Sequence, residues 1–347
     1  MRVAIVNDSM MAVESLRRVI TSVSGYEVVW VAHDGAEAVW RCLADVPDLI
    51  LMDLIMPVMD GVEATRKIME SSPCAILVVT STVAGNASKV FSAMGYGALD
   101  AVNTPVLGMS GDAEGKDEFL RKVSTIKSLI TQTKTNGASA YRVPSVSSSS
   151  SSDKSLVVIG SSSGGPKALA KVLHSLSAGF PSPIVIIQHV DQNFTTELAL
   201  WLDHQCALDV RLAQKGDILS AGTVLIAGTN DHLILNSDNT LEYTPYPVEH
   251  YYRPSVDVFF NSVAEHWSGN VVAVLLTGMG RDGAEGMLSL KNKGVLTIAQ
   301  DEQSCTVYGM PKAAAQIGAA QKILPLDDIA FELINYFQGE TGRHKIL

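Results

Sequence analysis

The chain has 347 residues, enough for two domains that each bury a sizeable core. Hydrophobic residues at 47% and charged residues at 18% mark a globular chain, and a net charge of −10 argues against nucleic-acid binding, which usually needs a basic face. The four cysteines are scattered without CxxC spacing, which excludes a zinc site or disulfide frame and fits reduced thiols in the cytoplasm.

The chain opens on Met1-Arg-Val-Ala-Ile-Val, an apolar run too short for a signal peptide. No later run reaches transmembrane length, so no direct membrane insertion is expected. Strand-like runs follow at Val3–Val6, Val28–Ala32, Leu49–Met52, Ala75–Val79 and Ala101–Val102. Helix-period segments such as Met11–Ile20 and Gly35–Leu43 separate them. That alternation predicts a five-stranded parallel sheet with helices on both faces over residues 1–133. Ligands of such sheets bind at the carboxyl ends of the strands. Asp8 and Asp53 both fall there, and with the backbone carbonyl of Ile55 they form a hard oxygen set suited to Mg²⁺. A single Asp at a strand end is usually just a solvated loop charge; the grouping is what makes these notable.

These residues resemble the response-regulator receiver domain, a flavodoxin-like fold. The resemblance rests on Val6-Asn-Asp-Ser9, Asp48-Leu-Ile-Leu-Met-Asp-Leu-Ile-Met-Pro57, Met59-Asp-Gly61, Val78-Val-Thr80 and Asn103-Thr-Pro105. It implies that Asp53 accepts a phosphoryl group, that Asp8 ligates Mg²⁺, and that Thr80 hydrogen-bonds the phosphoryl oxygens. Two positions depart from the family pattern. Asn7 stands where most receivers have a second acid, and Thr104 where most have a lysine before the proline. A lysine about 4 Å from the phosphoryl group, at an effective dielectric of about 20, would contribute up to about 4 kcal/mol before desolvation. Weaker Mg²⁺ dependence, or altered coupling of phosphorylation to output, is therefore expected.

Leu120–Thr133 has the spacing of a last amphipathic helix. Residues 134–153 are polar, carry Pro144 and end in the serine run Ser147–Ser152, the composition of a flexible tether.

Residues 154–347 form the second predicted domain, α/β and doubly wound with a small antiparallel insertion. It begins with the buried run Leu156–Ile159, then Gly160-Ser-Ser-Ser-Gly-Gly-Pro166. Ser162 holds the third place of G-x-S-x-G, a strand-to-helix turn that can expose a nucleophilic hydroxyl beside helix-start N–H groups. The blander reading is a serine-rich turn capping a helix. A second strand, Ile184–Ile187, leads to Gln188-His189, which puts His189 on the same sheet edge if the strands are parallel. Residues 216–246 alternate apolar and polar with turn signals and read as the antiparallel insertion; His232 in it reads as structural. A third strand, Val271–Leu276, runs into Thr277-Gly-Met-Gly-Arg-Asp-Gly283. Asp282 in that turn is either an N-cap to its helix or the acid of a Ser162-His189-Asp282 triad for acyl transfer. The same turn is literally G-x-G-x-x-G, with Asp301 18 residues past the last glycine, so an NAD-type dinucleotide site is a rival reading.

With Gln188-His189, Tyr252-Arg-Pro-Ser-Val-Asp257, Leu276–Ala284 and Gly309-Met-Pro-Lys312, the whole chain resembles the chemotaxis protein-glutamate methylesterases, the CheB family. The Asn7 and Thr104 variants resemble its Wsp surface-sensing (WspF-like) branch. The resemblance implies hydrolysis of glutamate methyl esters on the cytoplasmic helices of methyl-accepting receptors, with release of methanol and, in some members, deamidation of receptor glutamines. It implies Ser162, His189 and Asp282 as the triad, with Ser163 and Met279 near the oxyanion and no cofactor for the hydrolysis. It further implies a receiver that covers the active site until a CheA-type histidine kinase phosphorylates it. A non-enzymatic docking regulator with misplaced triad residues is the remaining alternative.

Overall fold

Short, wholly apolar runs become parallel strands in both halves of the chain. The computed structural model describes residues 1–80, 83–107, 113–132, 154–190, 192–248, 250 and 252–343. It divides into two units, Met1–Ala140 and Tyr141–Leu347. The expected tether, 134–153, lies outside the described residues.

The first unit runs β1 (Arg2–Val6), α1 (Met10–Thr21), β2 (Glu27–Ala32), α2 (Gly35–Ala44), β3 (Leu49–Met52), α3 (Gly61–Ser71), β4 (Ala75–Thr80), α4 (Val83–Tyr96) and β5 (Asp100–Asn103). The two-residue strands β6 (Val106–Leu107) and β7 (Ala113–Glu114) pair with each other, and α5 (Lys116–Gln132) follows. The main sheet has the order β2-β1-β3-β4-β5 with every pairing parallel. This is the flavodoxin-like order, whose ligand crevice lies between β1 and β3, where the chain reverses its direction of winding. Asp8 and Asp53 follow those two strands. Ser9, Asp34 and Asp60 cap α1, α2 and α3 through side-chain oxygens, so three helices start where an acceptor satisfies their free amides. Helix α5 starts four residues before the expected Leu120 and buries Phe119, because an amphipathic stripe loses its signal in a polar first turn.

The second unit runs β8 (Ser155–Ser161), α6 (Gly165–His174), β9 (Ile184–Gln188), α7 (Gln192–Asp203), β10 (Asp209–Leu212), β11 (Thr223–Ile226), β12 (His232–Leu235) and β13 (Leu241–Thr244). Then come α8 (Val256–His266), β14 (Asn270–Leu275), α9 (Ala284–Asn292), β15 (Leu296–Gln300), α10 (Met310–Gln316), β16 (Lys322–Leu324) and α11 (Leu326–Arg343). Seven strands pair in the order β10-β11-β9-β8-β14-β15-β16, all parallel. One face of this sheet shares a core with α8, α9, α10 and the β12–β13 hairpin, through Leu156, Val158, Val185, Phe259, Phe260, Met287 and Met310. The antiparallel part is narrower than residues 216–246. Strand β11 joins the parallel sheet, and only β12 and β13 form an antiparallel ladder. Thr223-Val-Leu-Ile226 is a buried run, and such runs carry no periodicity that separates a sheet strand from a hairpin strand. No described helix is long and apolar enough to cross a membrane.

The Met59-Asp-Gly61 motif has a steric cause. The Gly61 amide donates to Leu54 O at 3.1 Å, and a Cβ on Gly61 would lie 1.9 Å from the backbone oxygen of Asp53. Gly61→Ala must therefore push the Asp53 loop aside. We expect it to lower receiver stability by about 1–3 kcal/mol in urea titrations of the full chain, the usual cost of forcing extra volume into packed structure.

Candidate active site

Strands β9, β8 and β14 are adjacent and parallel, so their carboxyl ends open on one edge. Main-chain bonds continue past the strands and lock the three turns together. The His189 amide donates to Ser161 O at 3.0 Å, and the Ser162 amide donates to Thr277 O at 3.1 Å. Gln188 Nε2 donates to the carbonyls of both Ser162 and His189, at 2.9 and 3.1 Å. On the other side, Thr277 Oγ1 donates to Ser163 O at 2.9 Å. Gly278 packs so closely here that a Cβ would come within 2.8 Å of Ser162 Cβ and 2.3 Å of Met310 Sδ. Gly278 thus serves close packing against the serine turn, while Gly280 and Gly283, at φ +82° and +90°, pack against Tyr252 and against Val256 and Leu275. Asp301, the acid a dinucleotide ribose would need, accepts from the Ser304 amide and hydroxyl at 2.9 and 2.5 Å.

His189 and Asp282 meet directly, Nε2 to Oδ2 at 2.7 Å. The Asp282 side chain accepts three further bonds: from Ser255 Oγ at 2.7 Å, the Val256 amide at 2.7 Å and the Asp257 amide at 3.2 Å. Val256 and Asp257 are the first residues of α8, so the carboxylate sits on that helix's positive end. Burial alone would raise the Asp282 pKa; His189, Ser255 and Val256 outweigh it and bring the carboxyl down to about 2. Ionised Asp282 requires the proton of a neutral His189 ring to be on Nε2, leaving Nδ1 as the lone-pair nitrogen. Nδ1 is buried and has no hydrogen-bond partner. The ring is further held by Tyr252, stacked at 4.3 Å with 3° between planes.

Asp282 is therefore no cap of its own helix. The N-cap of α9 is Gly283, which makes no side-chain capping bond. Asp257 of α8 fills that role instead, accepting the Gly286 amide at 2.6 Å. Each helix start is bound by a carboxylate from the other helix's segment. Burial pushes Asp257 up to about 6, against the Gly286 amide, with the Asp282 charge adding to the rise.

The structure brings Ser162, His189 and Asp282 to one edge, with Ser162 8% exposed. It shows no hydrogen bond between the serine hydroxyl and His189. Among the described residues, no hydrogen bond uses the backbone amide of Ser163 or Met279, which leaves both free for an oxyanion. Sequence reasoning gave no role to Gln188, Tyr252, Ser255 or Asp257. The last three sit in Tyr252-Arg-Pro-Ser-Val-Asp257, whose only local signal is a serine three residues before an amide it caps.

In the first unit, Asp53 Oδ1 accepts the amides of Leu54 and Ile55 at 2.7 and 3.4 Å. Burial raises the Asp53 carboxyl above its ordinary range, those amides pull it back, and the Asp8 charge adds to the rise. Asn7 turns its Oδ1 to the Ser9 amide at 2.8 Å, which leaves Asp8 as the acid of that turn. Thr80 is 1% exposed at the end of β4, and its Oγ1 accepts from Asn86 Nδ2 at 3.4 Å.

Fold and site together define a two-part protein, a receiver-type unit with aspartates at its crevice and an α/β unit with a serine, a histidine and an aspartate on one sheet edge. Family models agree: the response regulator receiver domain matches residues 3–108, and the CheB methylesterase matches 157–333. A protein-glutamate methylesterase/protein-glutamine glutaminase of Burkholderia thailandensis is 52% identical over 99% of this chain and 100% of its own length. One from Pseudomonas putida, of the group 3 operon, is 52% identical over 97% of this chain and 99% of its own. The crystal structure of the Thermotoga maritima CheB methylesterase catalytic domain matches with a TM-score of 0.51 and 37% identity, covering 53% of this chain and 98% of that one. The chain belongs to the CheB methylesterase family.

A carboxyl whose folded pKa lies above its unfolded value of 3.8 destabilises the fold once it ionises. Asp257→Asn keeps an acceptor for Gly286 and removes that cost. Thermal midpoints of the variant should exceed those of the wild type above pH 6, and the gap should close as pH falls through 6 toward 4.

Proposed function

We propose that this chain hydrolyses glutamate γ-methyl esters on the cytoplasmic helices of methyl-accepting receptors, under control of phosphorylation at Asp53. The observation that carries this is the His189 ring, with Nε2 bound to Asp282 and Nδ1 buried and unpartnered beside the serine turn. Ser162 Oγ attacks the ester carbonyl, and His189 Nδ1 takes its proton. The oxyanion is received by the Ser163 and Met279 amides. On collapse the C–O bond to the methoxy group breaks, and Nδ1 returns the proton to give methanol. Water then attacks the acyl-enzyme by the same proton route, releasing glutamate and Ser162. The ring nitrogens are used in the reverse sense to the chymotrypsin arrangement, where the acid holds Nδ1. The missing Ser162–His189 bond fits a free enzyme, since such bonds often tighten only with substrate in place. A primary amide would follow the same path with ammonia leaving, which accounts for deamidation of receptor glutamines.

The receiver's phosphodonor is a CheA-type histidine kinase, and the setting is the cytoplasm, without nucleic acid or membrane insertion. Asp8, Asp53 and the Ile55 carbonyl would hold Mg²⁺. They fit it, because burial and the Asp8 charge that raise Asp53 are both relieved by a divalent cation. When bound, Mg²⁺ supplies positive charge against the phosphoryl oxygens, and Thr80 donates to one of them. Phosphorylation of the receiver unit raises the hydrolase activity. Asn7 and Thr104 support a place for the chain in the Wsp surface-sensing branch.

Methanol release from methylated receptor, with and without a phosphodonor, tests the reading. Ser162→Ala should lower turnover by about 10⁴-fold or more. Near-wild-type demethylation by that variant would sink the assignment, and no release from the wild type would favour a docking regulator. Asn7→Asp combined with Thr104→Lys in the full chain should lower the Mg²⁺ concentration needed for half-maximal phosphorylation by acetyl phosphate. An unchanged titration would show that the two departures do not tune the receiver.

A further inference from the structure

His232 is 0% exposed at the first position of β12, and the hydrolytic steps above make no use of it. Both of its ring nitrogens are engaged. Nε2 lies 3.1 Å from Pro247 O, and Nδ1 lies 3.1 Å from the Ser255 amide. An amide can only donate, so Nδ1 must be the unprotonated nitrogen and Nε2 the donor. Ser255 is the N-cap of α8, and it is the same residue whose hydroxyl holds Asp282 Oδ1. A continuous path thus runs from the hairpin ring, through the Ser255 backbone, to the triad carboxylate and His189.

We propose that His232 is a positioning residue of the hydrolase: its neutral ring holds Ser255 and the start of α8 where they orient Asp282. The proposal rests on the hydrolase reading. Protonation would place a second N–H against the Ser255 amide, where neither group can accept. That would break the path at its first link and loosen the cradle around the carboxylate. Burial disfavours the charged ring and lowers its pKa, with His250 and Arg253 adding to the effect and the Pro247 carbonyl and Asp282 opposing it. On the elements packed against it, Asp257 of α8 is bonded to the Gly286 amide, and Glu242 of β13 pairs with Lys215 at 2.7 Å. Burial thus favours the neutral ring, the form that the Ser255 amide also requires.

The test compares wild type, His232→Leu and His232→Asn in methanol release from methylated receptor, as full chains. Leucine fills the space without an acceptor; kcat should fall about 10- to 100-fold with KM nearly unchanged, as for a small misplacement of a reacting group. Asparagine offers an oxygen near the Nδ1 position and cannot titrate. It should recover most of kcat, and its activity should fall less steeply than the wild type's as pH is lowered into the acid range. Wild-type kcat in folded His232→Leu would overturn the proposal. So would an asparagine variant as impaired as leucine, or one whose acid limb parallels the wild type's. If His232→Leu does not fold, the asparagine profile decides. An inactive wild type would instead overturn the hydrolase reading itself.

Discussion

The Asp282 carboxylate and the start of α8 depend on one another, and the hydrolase edge depends on that contact. A carboxylate buried this deeply costs several kcal/mol in lost hydration. Four donors surround it, from His189, Ser255, Val256 and Asp257. Charge-assisted bonds of this kind contribute about 1.5–3 kcal/mol each, enough to keep the group ionised. The reciprocal bond from the Gly286 amide to Asp257 ties α9 to α8 in the same place. The two helices cannot shift apart without exposing an unpaired carboxylate on one and free amides on the other.

That constraint explains the choice of ring nitrogen. Asp282 reaches His189 from the α8 side and takes Nε2, so Nδ1 is left without a partner. Tyr252, three residues before Ser255, stacks on the same ring, and Gln188 joins the carbonyls of Ser162 and His189. The imidazole is thereby fixed in plane, tautomer and depth before any substrate arrives. In the receiver unit the balance runs the other way. Asp53 has two amides and a nearby like charge, and it is raised where Asp282 is lowered. One carboxylate is held as an anion by four donors; the other has two amides and a like charge beside it.

Much of this was legible in the residues. Runs such as Leu49–Met52 and Leu156–Ile159 announced buried parallel strands, because only a sheet covered on both faces uses four apolar residues in succession. Ser162, His189 and Asp282 each followed such a run, and parallel strands bring their ends to one edge. The extent of the antiparallel hairpin was not legible, since β11 has the same local pattern whether it joins the main sheet or a ribbon. Nor was the partner of Asp282. An aspartate two residues before a helix looks like its cap, and only the crossing of α8 shows that it caps another helix.

The sequence by itself determined the chemistry available: a serine in a glycine turn, an imidazole, two carboxylates at the receiver edge, and the strands that carry them. Those are properties of residue type and local spacing, which a linear chain records. Tertiary structure alone decided which ring nitrogen Asp282 takes, which helix holds Asp282, and that His232 reaches Ser255 from a separate hairpin. Each of these is a contact between segments more than twenty residues apart, set by how sheet and helices pack, and local sequence carries no measure of that distance.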